Sequence, residues 1–213
     1  MKIALIGATG FVGAKVLGEA LARGHTVTGI VLHPEKLPVH ARLTPKKGDV
    51  TDVEGLARLL QGHEAVLSAF SPEKSAPDLR GRQILGARAI LSAVKKAQVR
   101  RLLVVGGAGS LEVAPGVQGV DTPEFPAEWR EGALGTRDVL HLLQDETELE
   151  WTLLSPSANL VPGLRTGAFR LGTDLLLKDA NGESRISLED YAVAFIDELE
   201  HPHHVRRRFT VGY

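Results

Sequence analysis

Five short apolar runs set the rhythm of the chain: Ile3–Ile6, Val27–Leu32, Ala65–Ala69, Leu102–Val105 and Trp151–Ser155. None alternates apolar with polar residues. Continuous runs of this length suit strands covered on both faces, which are usually parallel strands. Helical periodicity fills the gaps. Val12, Val16, Leu17, Ala20 and Leu21 share one face, Lys15, Glu19 and Arg23 fall away from it, and Gly24 supplies a stop. After Asp49-Val50, Thr51 or Asp52 can cap a helix that turns Val53, Leu56, Leu59 and Leu60 inward and ends at Gly62. The spacing of Ile84, Ala87, Leu91 and Val94 predicts a longer helix from Asp78 to Ala97, with Lys95-Lys96 at its negative end. Strands and helices in alternation predict an α/β fold with a doubly wound parallel sheet.

Beyond Val105 the pattern loosens. Gly106 to Ser110 ends a strand, and the stretch to Pro126, with Pro115, Gly116, Gly119 and Pro123, predicts an ordered functional loop. A helix is expected over Glu128–Gln144. Pro156 to Gly167 is irregular, Ala168–Leu171 and Leu175–Leu177 suggest a small hairpin, and the residues from Asp179 to Glu183 suggest a turn. Ser187 and Asp190 resemble a capping pair for a helix through Ile196 and Leu199, and Phe209–Val211 can close the sheet. With no internal repeat or linker, residues 1–213 are expected to form a single domain, with lid elements within 107–127 and 156–187.

Composition narrows the function classes. Lys+Arg 25 against Asp+Glu 26 leaves a formal charge of -1, which offers no field for a phosphate backbone. Aromatic residues at 5% are too few for a base-stacking platform, so a nucleic-acid partner is not expected. The chain has no cysteine, hence no disulfide, no thiolate nucleophile and no Cys-held metal. No segment is apolar for long enough to span a bilayer, and the first apolar run is interrupted too soon, at Gly7, for a secretory signal. A cytoplasmic protein without a membrane partner is the expectation.

The chemistry-bearing motif is Gly7-Ala8-Thr9-Gly10-Phe11-Val12-Gly13, between a predicted strand and a predicted helix. Gly7 permits a tight turn, Gly10 lets backbone N–H groups approach a pyrophosphate, and Gly13 lets the helix pack close to the strand. A nucleotide site for NAD would place an acid at the end of the second strand. Val31, Leu32 and His33 stand there instead, and His33 and Lys36 are the nearby cations for a 2′-phosphate, so NADP(H) is favoured and NAD(H) remains open. Asp49-Val50 is placed either to flank an adenine or to start a helix.

The GxxGxxG spacing resembles the short-chain dehydrogenase/reductase superfamily in its atypical branch. The mainstream Tyr-x-x-x-Lys relay is absent: Tyr191 is followed four residues on by Phe195, and Tyr213 is the last residue. Ser110 lies where that superfamily keeps its catalytic Ser, or it serves its own loop. Hydride transfer to a flavin needs stacking and distance more than a relay, and with no separate flavin motif a flavin would come as substrate, not as a bound group.

GATGFVG, HPEKL, GDVTD, VVGGAGSLEVAPG, DTPEFPAEW, LSPSANLVPGLRTGAFRLG and ISLEDYAVAFIDELEHPHH together resemble bacterial NAD(P)-binding proteins provisionally named NADH-flavin reductases, distantly similar to mammalian biliverdin reductase B. The resemblance spans nearly the whole chain, with one departure, Leu32 where that family often has Arg. It implies a Rossmann-like fold and an NAD(P)H-dependent oxidoreductase acting on a free flavin or similar planar acceptor. By that resemblance, Gly7, Ala8, Thr9, Gly10, Phe11, Val12 and Gly13 hold the pyrophosphate. Ala69, Phe70 and Ser71 line the cofactor, while Gly107 to Ser110 and Ser155, Pro156 and Ser157 flank the nicotinamide. Phe125, Trp129 and Arg165 are its candidates for the substrate mouth, Trp129 by stacking and Arg165 by meeting a flavin phosphate.

Two alternatives stand beside that reading: a non-catalytic NAD(P)-binding redox sensor, and a nucleotide-sugar epimerase-like protein. His201, His203 and His204 are expected in a solvated turn without a metal, and Arg206-Arg207-Arg208 along a solvated or salt-bridged edge. Monomer and dimer are both open.

Overall fold

In a computed structural model describing residues 1–73, 75 and 77–213, the apolar runs become the inner strands of one twisted sheet. In chain order the elements are β1 (Lys2–Ile6), α1 (Gly13–Ala22), β2 (Thr26–Val31), β3 (Leu43–Lys47), α2 (Val53–Leu60), β4 (Ala65–Ser68), α3 (Leu79–Lys96), β5 (Arg101–Val105), β6 (Glu112–Ala114), β7 (Val117–Gln118), α4 (Ala127–Gln144), β8 (Glu150–Ser155), β9 (Asn159–Val161), β10 (Arg170–Gly172), β11 (Arg185–Ser187), α5 (Leu188–Glu200) and β12 (Arg207–Gly212). The sheet order is β10-β12-β8-β5-β4-β1-β2-β3, parallel throughout except for antiparallel β10 at one edge. The order reverses at β1, where the connections leave to opposite sides. A ligand crevice belongs at the carboxyl ends of the strands there.

Both faces are buried, which explains the unbroken apolar runs. Ile3, Leu5 and Val27 pack with Val16, Leu17 and Ala20 of α1 and with Tyr191, Phe195 and Leu199 of α5. Ala4, Ile6 and Val66 pack on the other face, with Leu56 and Leu60 of α2, Ile90 and Val94 of α3, and Val139 and Leu143 of α4. The caps follow the sequence: Asp52 accepts from Gly55 N at 2.9 Å, Asp78 from Gly81 N at 3.1 Å, and Ser187 from Asp190 N at 2.9 Å.

Three expectations change. The hairpin expected over Ala168–Leu171 and Leu175–Leu177 does not form: β10 instead pairs with β12, and Leu175 bridges to Glu112. The main sheet offers longer apolar partners than the two halves offer each other. The loop after Ser110 contains a small hairpin of β6 and β7. His204 does not sit in a solvated turn. It is half-buried, with its ring stacked on Phe209 at 4.2 Å and its Nδ1 2.8 Å from Glu198. Glu198, 3% exposed, also accepts from buried Arg101 at 2.9 Å. This ionic cluster closes the amino end of the sheet, opposite the crevice. Arg208 is salt-bridged to Asp174, as an edge arginine can be. Among the described residues no helix is long and apolar enough to cross a membrane, and no His/Cys/Asp/Glu group is arranged to hold a metal.

Candidate dinucleotide site

The turn between β1 and α1 is shaped by its three glycines, each for a different reason. Gly7 has φ +79, a conformation that disfavours side chains, and its N–H donates to Ile30 O at 3.0 Å. A Cβ on Gly7 would lie 2.6 Å from Ala69 O, so the ends of β1 and β4 touch along their backbones. A Cβ on Gly13 would lie 2.1 Å from Gly7 O, so α1 can start this close to β1 only with hydrogen there. Gly10 differs: a Cβ there would meet only Gly7 O, at 3.3 Å, and otherwise face open space.

That open side is where the helix begins. α1 has no side-chain cap and no acid in its first turn. The backbone N–H groups of Phe11, Val12 and Gly13 have no hydrogen-bond partner among the described residues. Unpaired N–H groups and the positive end of the helix dipole, behind a residue without a side chain, form a cradle that could hold a diphosphate. Ala8 is buried beneath it, while Thr9, Gly10 and Phe11 are exposed along the crevice.

Around the cradle the strand ends supply the remaining walls. Leu32, 57% exposed, follows β2, and His33 pairs with Glu35 at 3.1 Å in the turn that carries Lys36. Asp49 does not cap α2, since Asp52 does. Asp49 instead bonds Thr51 N at 2.9 Å and Thr51 Oγ1 at 2.8 Å, fixing the turn in which half-buried Val50 sits. A hollow of 270 Å³ opens there, lined by Lys47, Gly48, Asp49, Asp52 and Arg58. A larger hollow of 490 Å³ lies between the carboxyl ends of α3 and α4, at the other end of the sheet. Lys95 is paired there with Glu146 and Glu148, so its rim is an internal ion-pair cluster remote from the glycine turn.

Beyond β4, Ala69 N donates to Ile6 O at 2.9 Å, holding this backbone against the turn. The Phe70 ring turns away and lies over Gly86 of α3, 2.1 Å from where a Cβ would be, so only the Phe70 backbone faces the crevice. Ser71 is exposed and donates to Pro72 O at 3.3 Å.

At the β5 and β8 ends, Gly107 and Gly109 lie against α4. Their Cβ positions would fall 2.4 Å from Thr136 Oγ1 and 2.7 Å from Ala133 Cβ. The sequence reading passed over Ala133 and Thr136; small residues three apart on one helix face were the available signal. Ser155 and Pro156 are buried, and Ser155 Oγ has no hydrogen-bond partner among the described residues. A buried hydroxyl without a partner at a strand's carboxyl end fits a site completed by a bound polar group. Ser157 is committed inward, donating to Val211 O at 2.8 Å.

The placements of Ser110 and Arg165 change the sequence reading. Ser110 is 1% exposed, and both its Oγ and its carbonyl accept from Arg208, at 3.2 and 3.1 Å, so its hydroxyl anchors the loop. Arg165 is engaged on the flank of α1: it donates twice to Glu19, both at 2.8 Å, two turns from the glycine loop. That guanidinium, followed by Arg23, holds the Glu19 carboxyl below its usual range against the opposing effect of burial. Neither tyrosine serves the crevice. Burial pushes the Tyr191 hydroxyl well above its ordinary pKa, and it donates to Leu154 O at 2.7 Å. Tyr213 Oη donates to Asp190 at 2.8 Å. Of the substrate-mouth candidates, half-buried Phe125 lies against the turn at Gly109, with Arg130 5.8 Å from its ring centre. Trp129 is exposed at the start of α4, its indole N–H donating to Glu128 at 2.9 Å.

A Rossmann-like sheet with a glycine cradle at its switch point defines a dinucleotide-binding protein of the atypical short-chain dehydrogenase/reductase type. The chain belongs to the NAD(P)H-binding family, whose model matches residues 7–202. It is 42% identical to the uncharacterized protein YwnB of Bacillus subtilis over 99% of this chain and 98% of that one. Among solved structures it superposes with a TM-score of 0.94 and 46% identity on a protein of Bacteroides thetaiotaomicron provisionally named an epimerase, covering 100% of this chain and 96% of that one. A protein of Streptococcus pneumoniae provisionally named an NADH-flavin reductase gives a TM-score of 0.85 and 33% identity, covering 100% and 99%.

Proposed function

We propose that this NAD(P)H-binding, oxidoreductase-like chain passes hydride from NADPH, and less readily from NADH, to a free flavin or similar planar acceptor. The observation that carries the reading is the cradle at Gly10, where open space meets the unpaired N–H groups that begin α1. The likeness to the provisionally named NADH-flavin reductase supports the acceptor class.

When bound, the reduced nicotinamide supplies the hydride. The residues' own tasks are positional. The N–H groups of Phe11 to Gly13 grip the diphosphate, and Ala69 and the Phe70 backbone wall the path toward β5. Ser155 offers a hydroxyl to the carboxamide region, and Phe125 offers an aromatic wall beside Gly109. The acceptor's ring nitrogen would take up the hydride, two electrons and a proton, from the bound nucleotide, which is left oxidised, and the second proton would come from water. No protein acid is required, which agrees with both tyrosines and Ser110 being committed elsewhere.

Mixing the protein with NADPH or NADH and FMN, and following loss of the reduced-nicotinamide absorbance, tests this directly. Turnover above the free-flavin background, faster with NADPH, is expected. No turnover with either nucleotide removes the reductase reading. Tight binding of both redox forms without turnover would favour a nucleotide-sensing regulator.

A further inference from the structure

We propose that Lys47, acting with Lys36, recognises the 2′-phosphate of NADPH and so sets the choice between NADPH and NADH. This rests on the dinucleotide reading above and adds to it a residue that the end of β2 alone does not reveal.

The end of β2 is chemically blank for this task. Leu32 offers hydrocarbon, and His33 is paired with Glu35. The charge comes from the neighbouring strand. β2 and β3 are in parallel register, with Val31 opposite Lys47, so Lys47 ends the edge strand one residue short of the level of Leu32. Adjacent strands are about 4.8 Å apart, within easy span of a lysine stem.

The pleat then decides the side. Gly29, opposite Pro45, faces Leu37 and Leu43, whose methyls lie 2.9 and 3.3 Å from where its Cβ would be. That is the face covered by the turn carrying His33 and Lys36. Two residues beyond Pro45, Lys47 returns to the same face, while Lys46 shares the opposite face with Ile30.

Lys36 and Lys47 are exposed and have no carboxylate within salt-bridge distance among the described residues. The nearest acids by sequence are occupied: Glu35 by His33, Asp49 by Thr51 and Asp52 by the start of α2. Two exposed ammonium groups, carried to one face of the sheet edge by two elements and neither in a salt bridge among the described residues, suit a dianionic phosphate, which lysine meets as a point charge. Lysines on an edge strand also discourage strand pairing between molecules, but that role is indifferent to which face they occupy and to the nucleotide.

Calorimetry on the full chain with NADPH, NADH, adenosine 2′,5′-bisphosphate and ADP separates these roles. Lys47→Ala is expected to weaken NADPH and the 2′,5′-bisphosphate by about tenfold, and Lys36→Ala by somewhat less, with NADH and ADP unchanged. Lys46→Ala should leave all four unchanged. Equal affinity of the unaltered protein for NADPH and NADH overturns the inference while leaving the dinucleotide reading intact. So does an equal effect of Lys46→Ala, or a Lys47→Ala effect that is nil or shared by NADH. Failure to bind any of the four ligands removes the dinucleotide reading itself.

Discussion

Gly10 and Gly13 are three residues apart and carry opposite duties. A side chain at Gly13 collides with the Gly7 carbonyl at 2.1 Å, whereas one at Gly10 meets that carbonyl at 3.3 Å and projects into the crevice. Gly13→Ala should therefore act on stability, costing about 1–3 kcal/mol by overpacking a rigid backbone contact. Gly10→Val should cost about 1 kcal/mol or less in stability and abolish nucleotide binding by occupying the diphosphate position. Thermal melts and NADPH calorimetry on both variants check the separation. Undiminished NADPH affinity in Gly10→Val would show that the diphosphate lies elsewhere. The tight turn at Gly7 and the close helix packing at Gly13 were legible from strand–glycine–helix spacing alone, because backbone sterics are local. The roles of Ser110 and Arg165 were not. Their partners, Arg208 and Glu19, are 98 and 146 residues away in the chain, and only the fold brings them together.

At the scale of elements, the segment from Val161 to Ala168 is strapped across the start of α5, where Ser187 donates to Leu164 O, Glu189 accepts from Gly163 N and one buried carboxylate ties down Thr166 and Gly167. Asp190, fully buried, accepts from Thr166 N at 2.8 Å, Thr166 Oγ1 at 2.5 Å, Gly167 N at 2.8 Å and Tyr213 Oη at 2.8 Å. Burial alone would raise its pKa; the donors, led by Thr166, outweigh that and hold it below the ordinary value. A carboxylate with a depressed folded pKa contributes stability that is complete above its unfolded pKa of about 3.9 and fades as pH falls through the lower folded value. Melting temperature should thus drop steeply below about pH 4, and Asp190→Asn should be less stable at neutral pH and show a shallower acid slope. Equal slopes in the two proteins would remove Asp190 as the source. The sequence showed Ser187 and Asp190 as a capping pair but not the strap, because the cap is read within four residues and the strap spans 24. β3 shows no apolar run, for a related reason. Leu-Thr-Pro-Lys-Lys has one apolar residue, and an edge strand with one exposed side needs no more. The inner strands, buried on both faces, announced themselves.

The whole molecule divides into two ends with different tasks. The carboxyl end of the sheet holds the glycine cradle. The amino end is closed by Arg101 at the start of β5, with its guanidinium on Glu198, Thr152 and the Glu150 carbonyl. Burial opposes ionisation of Glu198, yet His204 and the backbone N–H groups of His203 and His204 hold its carboxyl below the usual range. Arg101 removal leaves that carboxylate buried with part of its charge uncompensated, so Arg101→Ala should cost about 3–5 kcal/mol and lower the melting temperature by about 10 °C. Replacing both partners, as Arg101→Met with Glu198→Leu, should recover only part of the loss: it avoids the desolvation of two ions but leaves the His203 and His204 N–H groups without their acceptor. Neither variant should change NADPH affinity by more than about twofold, because the cluster lies a full strand length from the cradle and shares no partner with it. Melting curves and calorimetry on the single and double variants decide the matter. A nucleotide affinity that falls in step with stability would mean that the two ends of the sheet are coupled, and that the amino-end ion pair helps set the geometry of the glycine turn.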